Sequence, residues 1–380
     1  MHRDSYHPAL LRARAGTALR IESVPTPSLT EGGLLVAPSF VGVCGTDLQI
    51  LNGSRPDTAE ILGHEAAGLV VSAGAGARLR RGEYVVFNPS AQLTRGQILG
   101  HNVPGLFQQY FAIDAQAVDD GLVQTAEDGL PPICGALVEP VGGVIYAHEL
   151  IAHVVPDLQS TVIFGAGPIG LITAIYLREQ GARVLLVHPN QARLDLAASL
   201  GLLDPTSAMV LCDNSSEQII AWNGGQRLDA AVICTSMSGA SVALRRAVEV
   251  VRAGGCIEMV TNYPASSPTP EGITASALRA VRAANLCGVP SNGEYVFAAV
   301  SDRRIAFTSH RGTSRKHLTR AMQVLKSNSH RYTALITHVL SLQEAAQAVE
   351  TLACSREASI KGTNCIKAVI DLTPLMTLPP

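Results

Sequence analysis

The sequence predicts an α/β protein built from a β-rich, barrel-like domain and a domain with a doubly wound parallel sheet. Three observations lead there. In the middle third, short β-branched apolar runs alternate with helical stretches, the pattern of βαβ units. One of those runs leads directly into a glycine-rich turn that opens a helix. The first 150 residues are instead cut into short strands by residues such as Pro25, Pro27, Gly32, Gly33, Pro38, Gly42, Gly53, Gly63 and Gly74, which suits an antiparallel domain whose loops carry chemistry. A chain of 380 residues has room for two domains with separate cores.

In chain order, Ser160–Phe164 is the first strand of the parallel sheet, and Gly165-Ala166-Gly167-Pro168-Ile169-Gly170 follows it and opens a helix through Arg178. Gly181 suits the left-handed position that ends such a helix. Arg183–Val187 is a strand, Gln191–Leu200 a helix and Met209–Cys212 a strand. Leu228–Cys234, Ser241–Val251 and Gly255–Val260 continue the alternation. Right-handed crossovers bring the C-terminal ends of such strands to one rim, where a ligand sits. A helix over Lys316–Ser327, a segment Leu335–Leu340, a helix over Ser341–Leu352 and a strand at Ile366–Leu372 follow. Residues 1–152 and 309–380 are expected to form one domain and 153–308 the other.

Composition narrows the function. A net charge of −2 gives no footprint for nucleic acid or an anionic membrane. No signal-peptide stretch opens the chain and no 18 apolar residues run together, so the expected setting is the cytoplasm. With 47% hydrophobic and 16% charged residues, extensive burial is expected, including the interface of a homodimer or homotetramer. None of the eight cysteines falls in a CxxC pair, which argues against a zinc knuckle or a redox pair.

Gly165, Gly167 and Gly170, placed between a strand and a helix, are the fingerprint of a dinucleotide site. The first permits a tight turn, the second lets pyrophosphate approach the backbone, and the third allows close helix–strand packing. Pro168 and Ile169 complete the turn. The ribose-binding carboxylate expected about twenty residues further on is replaced by His188, followed by Asn190 and Arg193. Two alternatives stand: NADP, with His188 and Arg193 meeting a 2′-phosphate, or NAD, held through Asn190 or backbone groups.

Three segments carry metal-ligating residue types: Gly42-Val-Cys44-Gly-Thr46-Asp47, Leu62-Gly-His64-Glu65 and Leu137-Val-Glu139-Pro140. A thiolate, an imidazole and a carboxylate make a three-ligand Zn²⁺ set with one position open. Each alone reads more readily as a core or structural residue than as a ligand.

Together these motifs, in this order, resemble the medium-chain zinc-dependent alcohol and polyol dehydrogenases, over about residues 9 to 372. The carboxylate in the Glu-Pro motif resembles the sorbitol-dehydrogenase-like branch. The resemblance implies a GroES-like catalytic domain and a Rossmann dinucleotide domain. It makes Cys44, His64 and Glu139 ligands of one catalytic Zn²⁺ per subunit, with Glu65 able to enter the metal shell. Asp47 would orient His64 and Thr46 would hydrogen-bond the substrate hydroxyl. The implied reaction is hydride transfer between NAD or NADP and a secondary alcohol or ketone of a polyol, cyclitol or sugar derivative. A ketone or aldehyde reductase using NADPH is the alternative, and a non-catalytic dinucleotide-binding subunit the remote one.

The sequence departs from the family in three places. Phe87–Phe107 contains no cysteine, so a structural zinc has no ligands there. Gln49 stands where many relatives carry a proton-relay histidine, leaving water, cofactor ribose, Glu65, His101 or Tyr110 as substitutes. Residues 262–304 form a longer segment than the family requires, and His310, Arg311 and Arg315 beyond it read either as cofactor-phosphate contacts or as a charged turn.

Overall fold

A computed structural model describes residues 6–13, 18–355 and 358–376. The chain opens with the antiparallel hairpin β1 (Tyr6–Arg12) and β2 (Leu19–Pro25), followed by β3 (Leu34–Gly42), α1 (Gly45–Leu51), β4 (Glu65–Ala73), β5 (Tyr84–Phe87), β6 (Phe111–Ile113), α2 (Ala115–Asp120) and β7 (Val123–Thr125). Helix α3 (Gly135–Val154) leads to β8 (Ser160–Phe164), α4 (Pro168–Glu179), β9 (Arg183–His188), α5 (Gln191–Ser199), β10 (Ala208–Val210), α6 (Ser215–Trp222), β11 (Leu228–Ile233), α7 (Ala240–Val250), β12 (Val251–Met259) and α8 (Ala275–Ala284). The edge hairpin β13 (Val296–Val300) and β14 (Arg303–Thr308) precedes α9 (Arg315–Ser327), α10 (Ser329–Thr333), β15 (Ile336–Leu340), α11 (Leu342–Cys354), β16 (Ser359–Ile360), β17 (Thr363–Asn364) and β18 (Lys367–Asp371).

The chain divides into two compact units, Met1–Glu139 with Ser314–Pro380, and Pro140–Thr313. The divisions fall at 139/140 and 313/314, not at 152 and 308 as expected from sequence. The physical reason is α3, whose residues from Pro140 onward pack with the second unit.

In the first unit a sheet runs β15-β18-β3-β4-β5-β7, with β6 on β3. Its mostly antiparallel pairing follows from the short, glycine-punctuated strands, and β3 is buried along almost all its length because both of its faces are covered. In the second unit the order is β10-β9-β8-β11-β12-β14-β13, parallel except for β13. The order reverses between β8 and β11, which makes the rim above them the switch point of a doubly wound sheet. Strands such as β8, five of five residues buried, read as continuous apolar runs because helices cover both faces. The segment 262–304 supplies α8 and β13 of this unit. No helix among the described residues is long and apolar enough to cross a membrane.

Candidate metal centre and cofactor site

Three strands of the first unit converge on one corner. Gly42 at the end of β3 pairs with Glu65 at the start of β4, so Cys44 and His64, just outside the two strands, lie side by side. On the other flank Gly42 pairs with Val369 of β18, and Val43 N donates to Ala368 O at 2.9 Å, which brings Lys367 to the same place.

Asp47 ties the corner together. Cys44 is the N-cap of α1, and its backbone N–H donates to Asp47 Oδ2 at 2.8 Å, while Gly63 N donates to Asp47 Oδ1 at 3.1 Å. The same Oδ1 lies 3.4 Å from His64 Nδ1. Asp47, His64 and Glu65 are all buried. Burial works against the charged forms, yet the His64 imidazole and the two backbone donors keep Asp47 below its usual range, and Asp47 in turn holds His64 well above its own. Thr46, half-buried, follows on the first turn of α1.

Cys44 Sγ, His64 and Glu65 present ligand atoms within 4.8 Å of one another, the one such grouping of three among the described residues. Glu139 lies outside that trio but within electrostatic reach of Glu65, His64 and Lys367. It stands one turn into α3, whose start packs on β4 so closely that a Cβ at Gly135 would lie 2.4 Å from Ala67 Cβ. Burial, reinforced by the Glu65 charge, pushes Glu139 up to about 7, and the same two causes raise the Cys44 thiol. Four acidic groups thus face only His64 and Lys367 as cations. This deficit of positive charge, among soft and hard donors of the kinds zinc takes, fits a divalent cation held by Cys44, His64 and a carboxylate.

Lys367 is the residue that motif reading missed. It is 3% exposed, donates from Nζ to Val43 O at 3.1 Å and bonds Glu65 Oε2 in a buried ion pair. Despite the cost of burial, Glu65 and Cys44 raise its pKa, so it stays charged. Removing one member of a buried pair leaves the other uncompensated. We expect Lys367→Met to lower unfolding stability by about 3 kcal/mol in urea titrations, and Glu65→Gln in the same chain to restore most of it. An undiminished Lys367→Met stability would contradict the pairing.

Of the two ring side chains considered for the relay, His101 lies edge-on to His64 at 4.8 Å between ring centroids, and burial, with the His64 and Arg55 charges, brings it down to about 3. Tyr110 packs in a side core with Leu35, Ala37 and Val71, against His7.

In the second unit, Gly165 adopts φ +114°, and a Cβ there would lie 2.5 Å from Cys234 O. A Cβ on Gly170 would lie 1.8 Å from Gly165 O, whereas Gly167, the N-cap of α4, faces open space. Pro168 takes the first helical position, where no backbone N–H is needed, and Ile169 O accepts from Thr173 Oγ1 at 2.7 Å. This is an anion-receiving turn at a helix N-terminus. The Thr235 hydroxyl, just past β11, is buried without a hydrogen-bond partner, a polar group the sequence reading did not single out.

At the end of β9, His188 Nδ1 accepts from Asn190 N at 3.1 Å, and burial lowers its pKa, so the ring is neutral near pH 7. Asn190 caps α5 by accepting from Arg193 N at 3.3 Å. Arg193 Nε donates to Ala166 O at 2.8 Å, tying the positive charge of α5 to the glycine turn. A 2′-phosphate at this corner would therefore meet Arg193 as its cation, with His188 only a neutral hydrogen-bonding partner.

Comparison with known proteins closes the question of kinship. Residues 30–120 match the alcohol dehydrogenase GroES-like domain and residues 168–304 the zinc-binding dehydrogenase domain. The chain belongs to the zinc-dependent medium-chain alcohol and polyol dehydrogenases. Over 304 residues it is 26% identical to an L-threonine 3-dehydrogenase of Bacillus licheniformis, covering 71% of this chain and 84% of the relative. It is 27% identical to the L-galactonate-5-dehydrogenase of Escherichia coli, covering 62% and 70%. Among solved structures, the 2R,3R-butanediol dehydrogenase of Bacillus subtilis shares the fold, with a TM-score of 0.72, 22% identity, and 97% and 99% of the two chains covered. This dehydrogenase is accordingly an oxidoreductase of CH–OH groups that uses a nicotinamide cofactor and zinc.

Proposed function

We propose that this dehydrogenase oxidises a secondary alcohol of a polyol, cyclitol or sugar derivative with NAD or NADP, using one Zn²⁺ held by Cys44, His64 and a carboxylate, Glu65 or Glu139. The observation that carries this reading is the convergence of Cys44, His64 and Glu65 within 4.8 Å in a buried, anion-rich corner. The L-galactonate and threonine dehydrogenases among its relatives support a small, polar hydroxyl substrate.

Bound there, zinc supplies Lewis acidity, which brings the pKa of a bound hydroxyl down toward about 7, as it does for water. The chain's own residues do the rest. Asp47 Oδ1 faces the His64 ring on its Nδ1 side at 3.4 Å, so Nε2 would be the nitrogen that takes the metal. Thr46 both accepts the substrate's hydroxyl proton and donates its own toward solvent, a transfer that Gln49 cannot extend because an amide does not titrate near neutrality. The glycine turn holds the cofactor pyrophosphate on the α4 N-terminus. Lys367 balances the charge of Glu65.

Ketone reduction with NADPH is the second reading, favoured by the absence of a carboxylate from the His188–Asn190 turn and by the placement of Arg193. We further infer a homodimer or homotetramer, supported by the exposed Phe297 on the edge strand β13.

The test is a panel of polyols, cyclitols, sugar acids and L-threonine, with NAD and NADP, followed by cofactor absorbance on zinc-loaded protein. Turnover of a secondary alcohol is expected. Failure across the panel, and with the matching ketones and both reduced cofactors, would overturn the proposal.

A further inference from the structure

The second unit holds a buried acid–imidazole pair that neither the glycine turn nor the metal corner accounts for. Glu258, fully buried, lies near the C-terminal end of β12, and His310 lies two residues beyond β14. The two strands pair in parallel with Glu258 opposite Thr308, so both residues stand at the ligand-binding rim. His310 Nδ1 is 2.8 Å from Glu258 Oε1, and the Tyr146 ring covers the imidazole at 4.7 Å.

The pairing engages only Nδ1 of the imidazole. Nε2 lies beside Gly143, 4.0 Å from where a Cβ built there would stand. Glu258 Oε2 is likewise buried without a partner. A carboxylate at Nδ1 selects the tautomer with its proton on Nδ1, which leaves Nε2 as a fixed acceptor.

The position on the rim indicates what the acceptor meets. In a doubly wound sheet the dinucleotide crosses the switch point, here between β8 and β11, with its pyrophosphate on the glycine turn after β8. The adenosine half lies toward β9, where His188 and Arg193 are, so the nicotinamide half lies over the ends of β11, β12 and β14. The carboxamide is the hydrogen-bonding substituent of that ring, and its NH₂ is a donor.

We propose that His310, held by Glu258, accepts a hydrogen bond from the nicotinamide carboxamide of the bound cofactor. His310 is then a cofactor-binding residue and Glu258 a positioning residue acting through it. The inference rests on the dinucleotide chemistry of the family.

Cofactor binding by fluorescence and calorimetry tests it with three ligands: NADH or NADPH, ADP-ribose, which lacks the nicotinamide, and the reduced 3-acetylpyridine analogue, which lacks the amide donor. His310→Leu is expected to weaken the reduced cofactor about five- to tenfold, the scale of one hydrogen bond, while changing ADP-ribose and the acetylpyridine analogue less than about twofold. Glu258→Gln, which keeps the volume but removes the charge behind the ring, is expected to give the same pattern more weakly. Equal weakening of all three ligands, or no weakening, overturns the proposal. Should His310→Leu fail to fold, Glu258→Gln carries the same test alone, with ADP-ribose affinity and the melting temperature as the controls for integrity. A wild-type chain that binds neither NADH nor NADPH would overturn the dinucleotide reading itself, a result distinct from normal wild-type binding with unaltered variants.

Discussion

Cys44→Ala is expected to abolish stoichiometric zinc and to lower alcohol oxidation by at least about 1,000-fold, since the hydroxyl then loses the metal that acidifies it. The fold should survive. Cys44 caps α1 through its backbone N–H to Asp47, which alanine keeps, and its thiol has no covalent partner. Cofactor affinity should also be unchanged, because the glycine turn belongs to the other compact unit. Metal analysis beside steady-state rates on the same preparation reads both effects. A Cys44→Ala protein with full zinc and full activity would remove Cys44 from the ligand set.

The second large effect is expected at the glycine turn. In Gly170→Ala, the smallest possible side chain meets a backbone oxygen, Gly165 O, at 1.8 Å. No side chain can rotate away to relieve that contact, so the strand-to-helix turn itself must move. Gly165 cannot yield easily either, because its φ of +114° and its approach to Cys234 O already confine it. We expect a loss of about 3 kcal/mol or more in unfolding stability, and at least a hundredfold loss in cofactor affinity, about 2.7 kcal/mol. Gly167→Ala is the internal comparison: open space surrounds that position, so apo stability should hold while pyrophosphate binding weakens. Equal stability of the Gly170 variant and the wild type in urea would refute the packing argument.

The parallel sheet was legible because its signals are local. β8, the glycine turn, α4, β9 and α5 each lie within a dozen residues and carry periodicity or punctuation of their own. The third strand was read at Met209–Cys212 and is found at Ala208–Val210, a shift of the size that strand ends commonly allow. α1, α2, α3, α6, α8 and α10 were not read. α1 is only seven residues long, α3 contains Pro140, and α8 lies in a stretch treated as an extension. The metal corner divides in the same way. Cys44, His64 and Glu65 were named from residue type and motif, and they are the trio that the fold brings together. Lys367 is different: its partner Glu65 is 302 residues away, a separation no local pattern spans. One signal was present, a charged residue inside the apolar run Cys365–Ile370 in a chain with only four lysines. A lysine there must find a counter-charge or stay out of the core.

Asp47 has a further consequence for how this enzyme acquires its metal. A single carboxylate receives the N–H groups of Cys44 and Gly63 and faces the His64 ring, so contacts within the protein alone bring the thiol and the imidazole together. Little chain entropy then remains to be lost on coordination, unlike small zinc domains that fold only around their ion. For this dehydrogenase, chelation should empty the corner without unravelling it, and the metal-free protein should be a stored precursor that regains activity on a simple addition of zinc.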